Sequence, residues 1–268
     1  MRWLSGAETR QRIEAVGIER HADAFAFCEE VVEPFAYDWH AHGSDQLLYA
    51  LRGSLQLETA TARFLLPPQR AIWIPAGMRH RTWLGPVRSA SVFFPAGSLG
   101  EAGAGVRVVA VAPVMREMIL YATRWPPDRP RPDELADAYF RALTLLCREW
   151  VAQEMPFRLP RSEHAGLARA MDYTQTHLAE ATLSEACRAA AMSERSLRRH
   201  FLRETGISWQ HYLSQSRMLA ALVLLAQPGP GLAEVADQLG FASLSSFSKA
   251  FRDFCGETPA AYRRRVAD

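Results

Sequence analysis

Three histidines in this chain stand where their imidazoles can act together on one ligand. His40 and His42 alternate along a segment predicted to be extended, and Gln46 shares their parity, so all three side chains point to one face. A hairpin would bring His80 beside them. Because imidazole is a common ligand of divalent transition metals, the spacing predicts a metal site formed by His40, His42, Gln46 and His80. Asp45 has the opposite parity and is predicted to lie outside the site.

The same residues also fit a pocket without a metal, in which the histidines bind one another or an organic ligand through hydrogen bonds. If a metal is bound, Zn, Ni, Co and Fe all suit three imidazoles, and the residues do not distinguish among them. Nearby segments contribute aromatic and cationic side chains, some of which would line such a pocket. These are Tyr49, Arg52, Arg70 and Trp73. For Trp73, a place in the core is an equal alternative.

A second group of residues suits contact with DNA. Ser193 is a predicted N-cap, and the helix that follows, 194–204, has two faces. Leu197 and Phe201, with Leu202 beside them, are predicted to face inward. Arginine forks match the O6 and N7 atoms of guanine and also phosphate, which suits a helix lying in the major groove. The other face carries four arginines, which are Arg195, Arg198, Arg199 and Arg203.

A similar unit recurs later in the chain. Gly240 ends a short apolar helix, Ser243 caps the next one, and Phe247, Phe251 and Phe254 form its inward stripe. With small hydroxyls and one cation, this helix should discriminate bases less than the arginine-rich one. Two helix-turn-helix units in succession predict binding to successive major grooves of double-stranded DNA, about 34 Å apart. The residues predicted to face outward are Leu244, Ser245, Ser246, Ser248 and Lys249.

The chain divides into a strand-rich part and a helical part. Short runs of β-formers and aliphatic residues between about 24 and 96, punctuated by Gly and Pro, predict a barrel or sandwich. Helical periodicity begins near Pro113, and a Pro-containing segment precedes the helix-turn-helix units. We therefore predict an α+β fold in two domains, with a sensing domain at 1–112, helices at 113–155, a linker at 156–162 and an all-α DNA-binding domain at 163–268.

Composition narrows the class of protein. The 268 residues are 49% hydrophobic and 22% charged, which favours folded domains, and a net charge of +2 means that any basic surface must be local. The four cysteines form no CxxC pair and are expected to be reduced. Because the N-terminus does not resemble a signal peptide and no apolar run is long enough to span a bilayer, we expect a cytoplasmic protein without a membrane partner.

Three stretches of the C-terminal part carry a family resemblance. They are Ser193-Glu-Arg-Ser-Leu-Arg-Arg-His-Phe-Leu-Arg-Glu-Thr-Gly206, Gly240-Phe-Ala-Ser243 and Phe251-Arg-Asp-Phe-Cys-Gly-Glu-Thr-Pro-Ala-Ala-Tyr-Arg263. Through them, residues 163–265 resemble the DNA-binding domain of the AraC/XylS transcription regulators. By position, the resemblance implies base contacts in each groove helix. The residues concerned are Arg195, Arg198 and Arg199 in the first, and Ser245, Ser246 and Lys249 in the second.

The histidine segments are similar to the two motifs of cupins, and AraC-like regulators often carry a cupin-like sensing domain. Gln46 stands where metal-binding cupins usually have Glu, and Leu84 where the second motif commonly has Asn. Pro34 and Gln69 stand at positions that are usually glycine. These departures leave the predicted fold unchanged, so the resemblance implies a cupin-like β-barrel as the sensing domain.

The residues and the resemblance together predict a sequence-specific transcription regulator that is not an enzyme and has no catalytic residues. Its N-terminal domain is expected to sense a small molecule or a metal. Promoter DNA is the predicted macromolecular partner, with RNA polymerase as a second. The alternative from another class is a cupin metalloenzyme of the oxygenase type with an appended nucleic-acid-binding domain, in which the histidines would leave coordination positions open.

The long helix predicted near 133–154 has a wide apolar face that includes Tyr139, Leu143, Leu146 and Trp150. This face either packs within the chain or forms an interface with a second copy. The family resemblance favours the second interpretation, so a homodimer is expected.

Overall fold

The structure is a computed structural model that describes residues 2–18 and 23–267. These residues form two compact units. The first is rich in strands and carries three helices, whereas the second is almost entirely helical. The predicted α+β fold in two domains is therefore confirmed.

The boundary between the units lies close to the predicted linker. The first unit extends to Ala60 and takes in Phe64–Phe157, and the second comprises Thr61–Arg63 and the chain from Arg158 onward. The division thus falls inside the segment 156–162, of which Arg158–Pro160 is a short strand.

Strands are the most numerous regular elements of the first unit, and two of its helices follow them in the chain. The strands are β1 (Arg2–Trp3), β2 (Phe25–Val31), β3 (Phe35–Ala36), β4 (Asp45–Arg52), β5 (Leu55–Glu58), β6 (Ala62–Leu66), β7 (Arg70–Ile74), β8 (Arg81–Leu84), β9 (Val87–Phe94) and β10 (Arg107–Ala110). The helices are α1 (Gly6–Val16), α2 (Pro113–Ala122) and α3 (Glu134–Val151).

The strands form two sheets. One has the order β1-β3-β8-β5-β6, and the other has the order β10-β7-β4-β9-β2. Every neighbouring pair in the second sheet is antiparallel. An isolated antiparallel bridge joins His40 to His80, so these residues are paired as predicted. Strands β4 to β7 lie between them in the chain, so the pairing is long-range and is not the predicted hairpin.

The second sheet has one face toward helices α2 and α3. Leu47 and Tyr49 on β4 belong to the buried core cluster on this face, together with Trp73 on β7. Met115 of α2 and Phe140 of α3 complete it from the helical side. Because side chains alternate along a strand, Gln46 points to the opposite face. Of the two interpretations offered for Trp73, the core interpretation is therefore correct, and Tyr49 lies in the same core.

Helix α1 was not predicted, since its sequence is polar and lacks a marked apolar stripe. Its start is nevertheless encoded locally, because Ser5 and Glu8 form a reciprocal capping box. Gly17 ends the helix in the left-handed conformation with φ of 77°. Ile13 packs with Phe25 and Phe93 in a second apolar cluster, which fixes the helix against the strands.

The second unit is a set of seven helices that follow the strand β11 (Arg158–Pro160). They are α4 (Ala165–Thr176), α5 (Leu183–Ala190), α6 (Glu194–Thr205), α7 (Trp209–Leu225), α8 (Leu232–Gln238), α9 (Leu244–Cys255) and α10 (Pro259–Ala267). Helix α7 packs against α4, α6, α8, α9 and α10, so it joins the two halves of the unit into one body. Within the part of the chain that the structure describes, no helix combines the length and apolarity needed to cross a membrane.

Two helix-turn-helix units lie in this domain, α5 with α6 and α8 with α9. Each turn uses a left-handed residue, Ala191 with φ of 54° in the first and Gly240 with φ of 72° in the second. A Cβ at Gly240 would lie 2.2 Å from the carbonyl oxygen of Ala179, so only glycine fits there. The predicted end of the α8 helix at Gly240 is consistent with this geometry.

Candidate nucleic-acid interface and sensor site

Helix α6 buries its apolar residues and exposes its arginines. The Ser193 hydroxyl accepts a hydrogen bond from the amide of Ser196 at 3.3 Å, which caps the helix. Leu197 and Phe201 are fully buried. The arginines predicted to contact DNA are all exposed to solvent, namely Arg195, Arg198, Arg199 and Arg203.

Leu202 differs from its predicted inward position, because it is 56% exposed. Two full helical turns separate it from Arg195, and it lies close to Arg199 on the helical surface, three residues away. Leu202 therefore belongs to the arginine face, and its neighbour Phe201 alone occupies the core at this level.

The arginines of α6 make weak contacts that DNA could replace. Arg198 lies 3.4 Å from the Glu194 carboxylate, and both side chains are more than half exposed. Nη2 of Arg199 lies 3.4 Å from Nε2 of His200, and Nη2 of Arg203 lies 3.0 Å from its Nδ1. Desolvation and the two neighbouring guanidinium groups lower the pKa of His200. A neutral imidazole accepts at only one nitrogen, so at most one of these two arginines is hydrogen-bonded to it at a time.

Helix α9 offers a smaller and less charged surface. Ser245, Ser246 and Lys249 are exposed, as predicted for outward-facing residues. The Ser246 hydroxyl donates to the Ser243 carbonyl at 2.8 Å, so its proton is used within the helix cap. Arg252 is also exposed and lies one turn after Lys249. The sequence reasoning missed it, although its three-residue spacing from Lys249 was a usable signal.

In the first unit the three histidine rings come together. The ring centroids of His40 and His80 are 4.3 Å apart, those of His42 and His80 are 5.4 Å apart, and those of His40 and His42 are 6.5 Å apart. His42 and His80 are buried, and His40 is half-buried. The predicted convergence of the imidazoles is thus present in the fold.

Each ring has its Nδ1 atom next to a backbone carbonyl. The partners are the carbonyls of Asp38 for His40, Ser44 for His42 and Met78 for His80, at distances of 2.8, 2.7 and 2.8 Å. A carbonyl can only accept, so Nδ1 carries the proton in all three rings. In the neutral rings the lone pair is therefore on Nε2, the arrangement that metal-bound histidines commonly have.

Burial keeps these imidazoles neutral. It is the main cause that lowers the pKa of His40 and of His42. Burial, followed by the charges that His40 and His42 would carry, lowers the pKa of His80 to about 3. Near neutral pH the cluster therefore presents uncharged Nε2 acceptors.

Gln46 links the cluster to the second sheet. Its Oε1 atom lies 3.2 Å from Nε2 of His42, and its Nε2 atom donates to the Ser91 hydroxyl at 3.0 Å. Because Nε2 of His42 is itself an acceptor, the first contact places two lone pairs face to face. Turning the Gln46 amide by 180° resolves this conflict, since the NH2 group then donates to His42 while the oxygen accepts from Ser91. A cation held between the two acceptors would resolve it equally well.

The present ring spacing is not that of a bound tetrahedral metal. Imidazoles on one zinc ion would have centroids roughly 5 Å apart, because Zn–N bonds are about 2 Å long. The rings of His42 and His80 meet this spacing. The ring of His40 is too close to that of His80 and too far from that of His42. Consistently, no group of three His, Cys, Asp or Glu side chains within 2–18 and 23–267 is arranged to hold a metal ion. The donor set suits a metal, but His40 would have to move.

Asp45 lies outside the histidine site, as its parity predicted, but it does not face solvent. It is only 3% exposed, and its carboxylate accepts the amides of Ala76 and Ser98 at 2.8 and 2.9 Å. Its parity indeed directs it away from the histidines. The opposite side of β4 is covered by other parts of the unit, however, so facing away from the histidines does not mean facing solvent.

A cavity of about 230 Å³ opens next to His40. Helix α1 lines one side with residues that include Thr9 and Arg10, and Trp39, His40 and Ala41 line the other. The Thr9 hydroxyl accepts the amide of Asp38 at 3.0 Å, which holds α1 against this segment. An aromatic wall with a few polar groups is the usual chemistry of a site for a small organic ligand.

Sequence comparisons agree with this division of the chain. A family model described as a helix-turn-helix domain matches residues 186–265. Another, described as an AraC-like ligand binding domain, matches residues 32–165. These matches define a DNA-binding protein with a separate ligand-binding domain.

The chain belongs to the AraC family of transcription regulators. It is 29% identical over 254 residues to the HTH-type transcriptional regulator NimR of Escherichia coli K12, covering 92% of this chain and 89% of NimR. It is 26% identical to the uncharacterized HTH-type regulator YobQ of Bacillus subtilis 168, covering 89% of this chain and 94% of YobQ.

Two of the solved structures that are similar to this chain illustrate the extent of the match. The DNA-binding domain of AdpA in complex with a target DNA is 32% identical over 37% of this chain and 91% of that one, with a TM-score of 0.36. ToxT from Vibrio cholerae is 11% identical over 92% of this chain and 99% of that one, with a TM-score of 0.40.

Proposed function

We propose that this AraC-type regulator recognises promoter DNA mainly through α6, with α9 in a second groove, and that its N-terminal domain binds a small effector. The observation that carries the first part is the amphipathicity of α6. Its apolar residues Leu197 and Phe201 are fully buried, so the four arginines are left on the exposed surface. Arginine is the residue best suited to bidentate contact with guanine.

The DNA assignment is tested by replacing Arg195 and Arg198 with alanine together. Each lost bidentate contact should weaken specific binding by roughly 1–3 kcal/mol, while the fold is unchanged because both side chains are exposed. The matched control replaces Arg88 and Arg116, two exposed arginines of the first unit, and removes the same charge. Unchanged affinity of the Arg195/Arg198 variant for a selected duplex would overturn the assignment of α6.

The effector site that we propose is the cavity between α1 and the Trp39–Ala41 segment. It contacts His40, whose Nε2 lone pair accepts a hydrogen bond from a ligand, and Trp39 supplies an aromatic wall. For an effector to change DNA binding, it must bind one arrangement of the protein better than another.

A direct test is a thermal-shift screen of small organic compounds against the full chain and an Ala41→Trp variant. Ala41 is exposed at the rim of the cavity, so the larger side chain should block the site without unfolding the domain. A ligand of this cavity raises the melting temperature of the wild type only. A ligand that stabilises both proteins equally binds elsewhere, and this result would contradict the proposed site.

A second candidate effector is a divalent transition metal bound by His40, His42, His80 and Gln46. The common Nδ1–H tautomer of the three rings supports this proposal, because it directs three lone pairs from Nε2. The metal content of the purified full chain tests it, with His40→Ala/His42→Ala as the control. Near-stoichiometric Zn, Ni, Co or Fe that the control lacks would support the metal. No metal after incubation with each ion would reject it.

We also propose that α3 forms a homodimer interface. Leu135 and Leu145 are 57% and 56% exposed, and Ala138 and Ala142 lie between them on the same face. Their spacing of three, four and three residues is that of a helix-pairing seam. Leu143, by contrast, is fully buried within the first unit, so it is not part of this interface.

The dimer proposal is tested by sedimentation of a Leu135→Glu/Leu145→Glu variant. Charges at the seam should yield a monomer, whereas Val32→Glu, at a 74% exposed position elsewhere in the unit, should leave the dimer intact. A dimer that persists in the double variant would contradict the proposal. Contact with RNA polymerase, a cytoplasmic location and the lack of enzymatic activity stay predictions from the sequence.

A further inference from the structure

The first residue of α9 is an exposed leucine that the helix does not need for its core. Leu244 is 42% exposed, whereas Phe247, Phe251 and Cys255 on the same helix are buried. The inward stripe of α9 is thus complete from its second turn onward. An apolar side chain left in water at this position is available to a partner.

The polar residues around Leu244 are partly occupied by the helix cap. The Ser243 hydroxyl accepts the Ser246 amide at 3.1 Å and donates to the Ser246 hydroxyl at 3.2 Å. The Ser246 hydroxyl in turn donates to the Ser243 carbonyl. Because these hydroxyls satisfy one another, the apolar side chain of Leu244 is a main chemical feature of the exposed first turn.

The position of Leu244 determines what it can meet. Side chains of an α-helix tilt toward its N-terminus, so Leu244 projects past the start of α9. In a helix-turn-helix unit, the N-terminal residues of the second helix contact the edges of the bases. The apolar group that the major groove offers there is the C5-methyl group of thymine.

We propose that Leu244 is a specificity-determining residue that recognises a thymine through its C5-methyl group. The inference rests on the proposed placement of α9 in a major groove. It adds an apolar recognition element to a helix whose other exposed residues are polar or charged, namely Ser245, Ser246, Lys249, Arg252 and Asp253. The half-site bound by α9 should therefore contain a required thymine, while the arginine-rich α6 prefers guanine.

Leu202 on α6 provides a matched control. It is also an exposed leucine of the DNA-binding domain, at 56%. It lies in the third turn of its helix, however, and not at the N-terminal end that meets the base edges. Leu202→Ala removes the same number of atoms from the arginine face of α6, so it should leave the response of the α9 half-site to uracil unchanged.

The experiment uses the full chain and a duplex selected from a random library. Each thymine of that duplex is replaced in turn by uracil, which lacks only the methyl group, and binding is measured for the wild type, Leu244→Ala, Leu244→Met and Leu202→Ala. For the wild type, replacing one thymine of the α9 half-site by uracil should reduce the affinity for the duplex about fourfold. This is the effect expected from burying one methyl or methylene group. Leu244→Ala should bind more weakly and be insensitive to that replacement. Leu244→Met and Leu202→Ala should keep the sensitivity.

Two results would overturn the proposal. One is a wild-type protein for which no thymine methyl matters, and the other is a Leu244→Ala variant with an unchanged uracil profile. Failure of the groove placement itself has a different signature, which is a Lys249→Ala variant with unaltered affinity and salt dependence. Circular dichroism of Leu244→Ala excludes unfolding as the cause of a loss.

Discussion

The two helix-turn-helix units share their framework and differ on the surface that would meet DNA. In both, a serine caps the second helix by accepting the amide three residues later, Ser193 in the first unit and Ser243 in the second. Both second helices end at a left-handed glycine, Gly206 with φ of 74° and Gly256 with φ of 79°. Caps and buried residues set the framework, so the exposed residues are able to specialise.

The turns also differ in how tightly they are packed. At the left-handed position the first unit has Ala191 and the second has Gly240. Alanine, like other L-residues with a Cβ, rarely adopts this conformation because of steric cost. Close approach of the Ala179 carbonyl excludes any side chain at Gly240. In the second turn, the close approach of another backbone segment therefore restricts this position to glycine. In the first turn, the positive φ is the constraint on the choice of residue.

Gly240→Ala should produce the largest effect. The added Cβ would lie 2.2 Å from the backbone oxygen of Ala179, which cannot move aside as the end of a flexible side chain could. We therefore expect a loss of roughly 3 kcal/mol or more in the free energy of unfolding. Chemical denaturation of the full chain measures it. Gly206→Ala is the control, because its φ is also positive but a Cβ there would meet no described atom within 4 Å. It should cost only about 1 kcal/mol. Equal losses would show that backbone conformation alone governs both sites.

Arg199→Ala and Lys249→Ala should separate the roles of the two groove helices. We expect Arg199→Ala to weaken binding by about 1–3 kcal/mol and to relax base preference at one position. The family resemblance gives Lys249 a base-contacting position, but its ammonium group is a point charge without the fixed fork of arginine. We therefore expect Lys249→Ala to weaken binding to all sequences alike and to reduce the slope of log K against log salt by about 0.9. Affinities for a set of single-base variants, at several salt concentrations, test both. Uniform weakening by Arg199→Ala would assign that arginine to phosphate instead.

Ser193→Ala and Ser243→Ala should have similar and smaller effects on stability. Each removes one side-chain cap of a groove helix, at a cost of about 1 kcal/mol in the free energy of unfolding. Thermal or chemical denaturation of the two variants gives the comparison. A large difference between them would mean that the two frameworks are less equivalent than their hydrogen bonds indicate.

Ala191→Gly should give the smallest change, and in the opposite direction. Glycine adopts a φ of 54° without the steric cost that alanine has there, so we expect a gain of about 0.5 kcal/mol in the free energy of unfolding. Chemical denaturation of Ala191→Gly, measured in parallel with Gly206→Ala, tests whether the free energy of unfolding increases. Destabilisation by Ala191→Gly would show that the Ala191 methyl group makes a contact worth more than the strain it creates.

Much of the fold follows from local patterns in the sequence. The strands and the two helix-turn-helix units were predicted because alternation, helical periodicity and caps such as Ser193 and Ser243 act over a few residues. Helix α1 was missed although its capping box, Ser5 with Glu8, was present, because its polar composition hides the periodicity. The candidate sensor residues His40, His42 and Gln46 were placed on one face by parity alone.

Other features could not be predicted from local patterns. Parity states which residues share a face, but not what covers that face. Asp45 and Tyr49 both point away from the histidines, and both are buried, because helices and loops distant in sequence cover that side of the sheet. Leu202 was expected in the core, yet Phe201 already fills the space available at that level of α6.

Residue type and short-range spacing were enough to predict the two-domain division, the arginine-rich and serine-rich groove helices and the set of four candidate sensor residues. The Nδ1–H tautomer of the histidine rings is also a local feature, because each Nδ1 atom lies next to a carbonyl two residues away. The tertiary structure, by contrast, decided the spacing of the three histidine rings, the cavity between α1 and Trp39, and the steric requirement for Gly240. Each of these arises where backbone segments distant in the chain meet. No local pattern specifies that meeting, since it is set by the packing of the whole unit.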